Sequence, residues 1–186
     1  MRAPSIFALS VALSLALASP GFIPPAHADP AYSPDTVIAV FVRDNAVAEA
    51  YKIRRTRVIC LGSRAGCPKE PPPARASFDL LVSFQNNSDR LTQTAKDNLR
   101  QFAKALTDPS LKGKKFEIEA HTSAIGSEQY NLHLSERRAA SVVSYLALQG
   151  VDASFLLPKG LGATELRVAD PSSAENNRIE AHLTGE

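Results

Sequence analysis

The chain has 186 residues, with 21 Lys and Arg against 19 Asp and Glu for a formal charge of +2, and two cysteines. So even a balance makes no strong field to gather a polyanion, which excludes nucleic acid as a partner. The length suits one domain with an extension and excludes two full domains.

Arg2 is followed by an apolar run from Ile6 to Ala18 and then by Ala26-His27-Ala28. This is the pattern of a secretory signal peptide, and the run is shorter than the ~20 residues of a spanning helix. Residues 1–28 are therefore expected to be removed, placing the protein in the periplasm. Cleavage takes 28 of the 186 residues and leaves 158 that begin at Asp29, while the loss of Arg2 leaves a charge of +1. The first mature residue is then not cysteine, so no lipid anchor is expected. Too few residues separate Asp29 from the C-terminal domain for even an eight-stranded barrel, whose strands need ~9–11 residues each. No transmembrane segment is expected in the mature chain.

Ser33-Pro34-Asp35 has a capping serine, a proline at the first helical position and an acid in the first turn, which predicts a short helix through Phe41. A short strand is expected at Val58-Ile59-Cys60. Cys60 and Cys67 flank a short Gly- and Arg-containing loop, and in an oxidising compartment they are expected to form a local disulfide. Zinc is the weaker reading of these cysteines. It would need further ligands, and His121, His133 and His182 are scattered over unrelated segments; no metal and no cofactor are expected. Pro68, Pro71, Pro72 and Pro73 read as a stiff linker. The expected organisation is a signal peptide at 1–28, an extension at 29–73 and a domain at 74–186.

Within that domain, Phe78, Leu80, Val82 and Phe84 alternate along a strand that ends at the turn cluster Gln85-Asn86-Asn87-Ser88. A helix beginning near Thr92 or Thr94 carries Ala95, Leu99, Phe102 and Leu106 as one stripe. Lys112-Gly113-Lys114-Lys115 turns the chain into Phe116-Glu117-Ile118-Glu119-Ala120, whose alternation predicts a strand with one buried face. Ser127 caps a second long helix from Glu128 to Leu148, closed by Gly150. Strands are expected at 156–162 and 178–183. The fold class is α/β, with helices covering a sheet.

Along the second long helix, Tyr130, Leu134, Arg138, Val142 and Leu146 recur every four residues. A guanidinium thus lies in register with an apolar stripe. A partly buried arginine needs its charge matched, and its planar fork suits a carboxylate held by two hydrogen bonds. Asn131 and Ser135 share that edge, near the strand end His121-Thr122-Ser123. One reading is that Arg138 pairs with an acid of its own chain; the other is that it waits for a ligand.

Several blocks bear on that choice: Phe84 to Thr92, His121-Thr122 with Gly126, Tyr130-Asn131, Leu134-Ser135-Glu136-Arg137-Arg138-Ala139, Gly150-Val151-Asp152, and Asn176 to Glu180. In order and spacing, over residues 76–184, they resemble the OmpA-like C-terminal domain. The resemblance implies a βαβαβ-type domain with a mixed sheet that binds the diaminopimelate-containing stem peptide of peptidoglycan. It implies that Arg138 meets the diaminopimelate carboxylate. At the family's aspartate, which meets the amine, this chain has Ser123. Serine offers a hydroxyl but no negative charge, and losing one charge-assisted contact costs on the order of 1.5–3 kcal/mol. The same resemblance places Thr122, Asn131, Leu134, Asn87 and Arg178 at the site, with Asn177 where the family often has arginine.

Three functions follow. The first is noncovalent peptidoglycan binding that contributes to envelope integrity. The second is a structural or interaction module with weakened or lost binding, meeting a periplasmic or outer-membrane protein through residues 35–70. The third is a cell-wall hydrolase using Ser123 and His121, but no third orienting group accompanies them, so no enzymatic activity is expected.

Overall fold

The computed structural model describes residues 29–57 and 75–184. The expected signal peptide, the strand at 58–60, the Cys60–Cys67 disulfide and the proline linker lie outside the described residues.

Helix α1 spans Pro34–Arg57. It starts where the sequence signals, with the Ser33 hydroxyl accepting the Thr36 amide at 3.3 Å. It does not stop at Phe41. Residues 42–57 contain neither glycine nor proline and several alanines, so nothing breaks the helix. The apolar stripe does end there: Val37 and Phe41 are buried, whereas Val42 and Val47 are exposed.

Strand β1 is Ser77–Leu80, shorter than the expected run to Phe84. Its partner explains the difference, because Leu80 pairs with Ile179 and β4 (Arg178–Thr184) begins one residue earlier. Val82 and Phe84 still pack on the core, without a continuous ladder. Helix α2, Gln93–Leu106, is capped by the Thr92 hydroxyl and buries Ala95, Leu99, Phe102 and Leu106. Strand β2, Lys115–His121, leads to α3, Glu128–Leu148, and then to β3, Leu156–Gly162.

The sheet order is β1-β4-β2-β3, with β2 and β3 parallel across the α3 crossover and β4 antiparallel to both of its neighbours. This is the expected α/β arrangement. Helix α3 lies so close to β3 that a Cβ on Gly160 would meet the Glu136 backbone nitrogen at 2.4 Å. Phe41 of α1 sits edge-on to Phe116 at 5.0 Å, and Phe78 stacks on Phe102 at 6.3 Å between ring centres. The first turns of α1 are thus part of the same core as the sheet. No helix among the described residues is long and apolar enough to cross a membrane.

Strand β2 departs from the expectation of one buried face. Phe116, Ile118 and Ala120 enter the apolar core, yet on the other face Glu119 is 5% and His121 1% exposed. A central strand is flanked on both sides, and here the flanking side chains carry matching charge. Lys159 lies 3.2 Å from Glu117 and 3.0 Å from Glu119, and Arg178 lies 2.5 Å from Glu180. Burial pushes the Glu180 carboxyl up, but its hydrogen bonds to Arg178 and Arg167 and their charges outweigh this and hold it at about 2. Burial, with Arg178 beside it, pushes His121 below the usual histidine range despite the nearby carboxylates.

Candidate ligand-binding cleft

At the end of the sheet where β2 gives way to α3, an open cleft of about 360 Å³ is bounded by three segments and by Asn177, just before β4. The β1–α2 connection supplies Phe84, Gln85, Asn86 and Asn87. This connection folds back on itself through a bridge between Phe84 and Leu91. Asn87 takes φ 49°, a left-handed conformation that asparagine tolerates. The end of β2 supplies Thr122 and Ser123. Helix α3 supplies Tyr130, Asn131, Leu134 and Arg138. Ser127 starts that helix by accepting the Tyr130 amide at 3.2 Å, after Gly126 has turned at φ 97°.

Arg138 is half-buried on the cleft wall. Its Nε donates to the Ser88 carbonyl at 3.1 Å, and its guanidinium carbon lies 4.8 Å from the centre of the Phe84 ring. Burial lowers its pKa, Tyr130 and Asp89 act in the opposite sense, and Arg137 adds to the lowering. A guanidinium stays charged under such shifts. No carboxylate among the described residues comes within ion-pairing distance of it; Asp89, close enough to act on its charge, lies 3.9 Å from Arg137. One hydrogen bond and one aromatic face fix the fork, leaving donors for a ligand.

Other polar groups divide by role. Thr122 is buried, and its hydroxyl has no hydrogen-bond partner among the described residues. The Ser123 amide donates to the Asn177 side chain at 3.2 Å, which brings Asn177 into the lining. Asn131 donates to the Ile125 carbonyl at 3.1 Å and so holds the loop that carries Ile125. Ser135 is committed elsewhere, accepting the Gly162 amide at 2.8 Å and donating to the Leu132 carbonyl. Leu134 is a buried apolar wall.

Arg138, Ser123, Thr122, Asn131, Leu134 and Asn87 are thus brought together, and Arg178 is not. Arg178 instead binds Glu180 and the Glu165 carbonyl on the charged side of the sheet. Sequence reasoning missed Ile125, which read as plain loop, and Phe84, which read as the end of a strand. It also placed Tyr130 in the apolar stripe, whereas the residue is 45% exposed at the rim. The gap left unsignalled was the pairing of Phe84 with Arg138, since contacts between distant segments leave no local periodicity.

The profile of the OmpA family matches residues 83–180, a span that contains every residue of the cleft. The chain belongs to the OmpA family. It is 37% identical over 141 residues to the outer-membrane lipoprotein YfiB of Pseudomonas aeruginosa, a match covering 62% of this chain and 82% of YfiB. It is 32% identical over 129 residues to outer membrane protein A of Bordetella avium, covering 64% of this chain and 66%, just under two thirds, of that relative. Among solved structures, the OmpA-like domain of FopA1 from Francisella tularensis superposes with a TM-score of 0.50 at 23% identity, over 58% of this chain and 73% of that one. That likeness is one of fold. Within this OmpA-family domain the cleft lining contains one cation and no carboxylate.

Proposed function

We propose that this chain binds peptidoglycan noncovalently in the periplasm, gripping the diaminopimelate-containing stem peptide through Arg138. The supporting observation is that the Arg138 fork is half-buried, stacked on Phe84 and unmatched by any carboxylate among the described residues. A charge held out of water needs a counter-charge, and a stem carboxylate has the geometry to accept two of its donors. Thr122, Ser123, Asn87 and Asn131 form the polar surround, and Leu134 the apolar wall. The relatives named as outer-membrane proteins support an envelope location. Binding of this kind would tie the protein to the cell wall and contribute to envelope integrity.

Sedimentation with purified diaminopimelate-type sacculi tests the reading. Wild-type protein is expected in the pellet, and Arg138→Ala is expected to lose roughly tenfold or more of its affinity. Equal pull-down of that variant would remove the cleft from consideration.

A second reading has its own support in Ser123. With no acid in the cleft, the domain would serve as a scaffold whose partner is a periplasmic or outer-membrane protein met through residues 35–70. It requires crosslinks from that segment and no retention on sacculi. A hydrolase has less support, because Ser123 lines the cleft and His121 does not.

A further inference from the structure

We infer that Glu119, His121, Glu180 and His182, on the face of the sheet opposite the apolar core, form a binding site for a divalent, imidazole-seeking metal ion of the zinc type. Two of the three histidines that look scattered in the sequence, His121 and His182, come to one face of the sheet in the fold. Strands β2 and β4 run antiparallel with Glu119 directly opposite Glu180 and Glu117 opposite His182. Side chains two apart share a face, so Glu119, His121, Glu180 and His182 all project to the same side.

Their ligand atoms converge. Nε2 of His182 lies 3.1 Å from Oε2 of Glu180 and 3.3 Å from Oε2 of Glu119, and Nε2 of His121 lies 3.9 Å from the same Glu119 oxygen. Glu119, His121 and Glu180 each present one ligand atom within 4.8 Å of the other two. A tetrahedral ion with bonds of ~2.0–2.2 Å to nitrogen and oxygen needs its ligands about 3.3–3.6 Å apart. His182 stands at about that distance from both carboxylates, and the His121 ring, 3.9 Å from Glu119, must turn inward to complete the shell. Two imidazoles and two carboxylates are a zinc-type donor set, not a calcium or magnesium one.

His121 carries the inference beyond a cluster of acids. It is 1% exposed, and neither of its ring nitrogens has a hydrogen-bond partner among the described residues. A buried imidazole with both nitrogens unsatisfied is costly, and a bound ion would engage the one that faces Glu119. The surrounding cations are placed to help. Lys159 holds Oε1 of Glu119, and Arg178 and Arg167 hold Oε1 of Glu180, which leaves both Oε2 atoms facing the histidines. Such outer contacts orient carboxylate ligands. Glu180 and His182 keep partial exposure, which gives an ion a way in.

None of these residues lines the cleft, so the inference stands apart from peptidoglycan binding. It is tested on the untagged chain as exported, stripped of metal, by calorimetric titration with zinc and by the visible absorption of a cobalt(II) adduct. One zinc per chain, a raised Tm and a four-coordinate cobalt spectrum are expected. His182→Asn and Glu180→Gln should each weaken zinc on the order of a hundredfold, while His133→Asn, on α3, should leave it unchanged. Sacculus binding should survive in His182→Asn. Absence of zinc binding by folded wild-type protein, or equal affinity in His182→Asn and wild type, overturns the site. His121→Asn adds a second check if it folds, and His182→Asn decides if it does not.

Discussion

Ser123 sets what the cleft can hold. The lining offers a guanidinium for an acid group, and neutral amides and hydroxyls for everything else. A free side-chain ammonium brought there would give up hydration and find no counter-charge, whereas an acylated amine needs only one neutral acceptor. The chain is therefore expected to bind a diaminopimelate tripeptide with its side-chain amine acylated at least as tightly as the free amine. Ser123→Asp should reverse the order, tightening the free-amine peptide by roughly ten- to a hundredfold, the worth of one charge-assisted contact. Calorimetry with the two peptides decides it. If the aspartate variant gains nothing for the free amine, the pocket has been rebuilt around serine. Arg138 was legible because a charge in register with Leu134, Val142 and Leu146 is a local anomaly. The loss of Arg178 to Glu180 was not, although the two lie two residues apart on one strand face.

Elements were legible where their signals are local. Ser127 caps α3 as its sequence predicts, α2 starts after Thr92 within the expected bounds, and the α2 stripe is buried throughout. The end of α1 and the end of β1 were misjudged for opposite reasons. Helix α1 outlasts its apolar stripe because no residue breaks it, while β1 stops before its alternation does because β4 offers no further partner. The α3–β3 contact depends on a residue with no side chain. At Gly160 an added methyl would collide with the Glu136 backbone, and backbone on both sides cannot step aside cheaply. Gly160→Ala is expected to destabilise the domain by about 3 kcal/mol or more, at the upper end of overpacking costs. It should also loosen the α3 segment that carries Arg138. A urea midpoint within error of wild type would mean that α3 sits farther from β3 than the structure places it.

At the scale of the molecule, the proline run suggested a division near residue 73, but the core extends to residues before it. Val37 and Phe41 are fully buried, and Phe41 touches rings from β1, α2 and β2. No sequence pattern announces this, because a helix stripe reveals that it is buried and not against what. Burying a valine and a phenylalanine contributes roughly 1.5–3 kcal/mol each. A chain starting at Arg75 should therefore lose about 3–6 kcal/mol relative to one starting at Asp29, a large part of a small domain's stability. Urea denaturation of the two chains checks the figure. Beyond Phe41, Val42 and Val47 face solvent and should contribute little. Replacing both by alanine should leave the free energy of unfolding in urea within about 0.5 kcal/mol of wild type, the usual range for surface changes. Equal stability of the two truncation forms would instead detach α1 from the core and make residues 29–57 a separate arm.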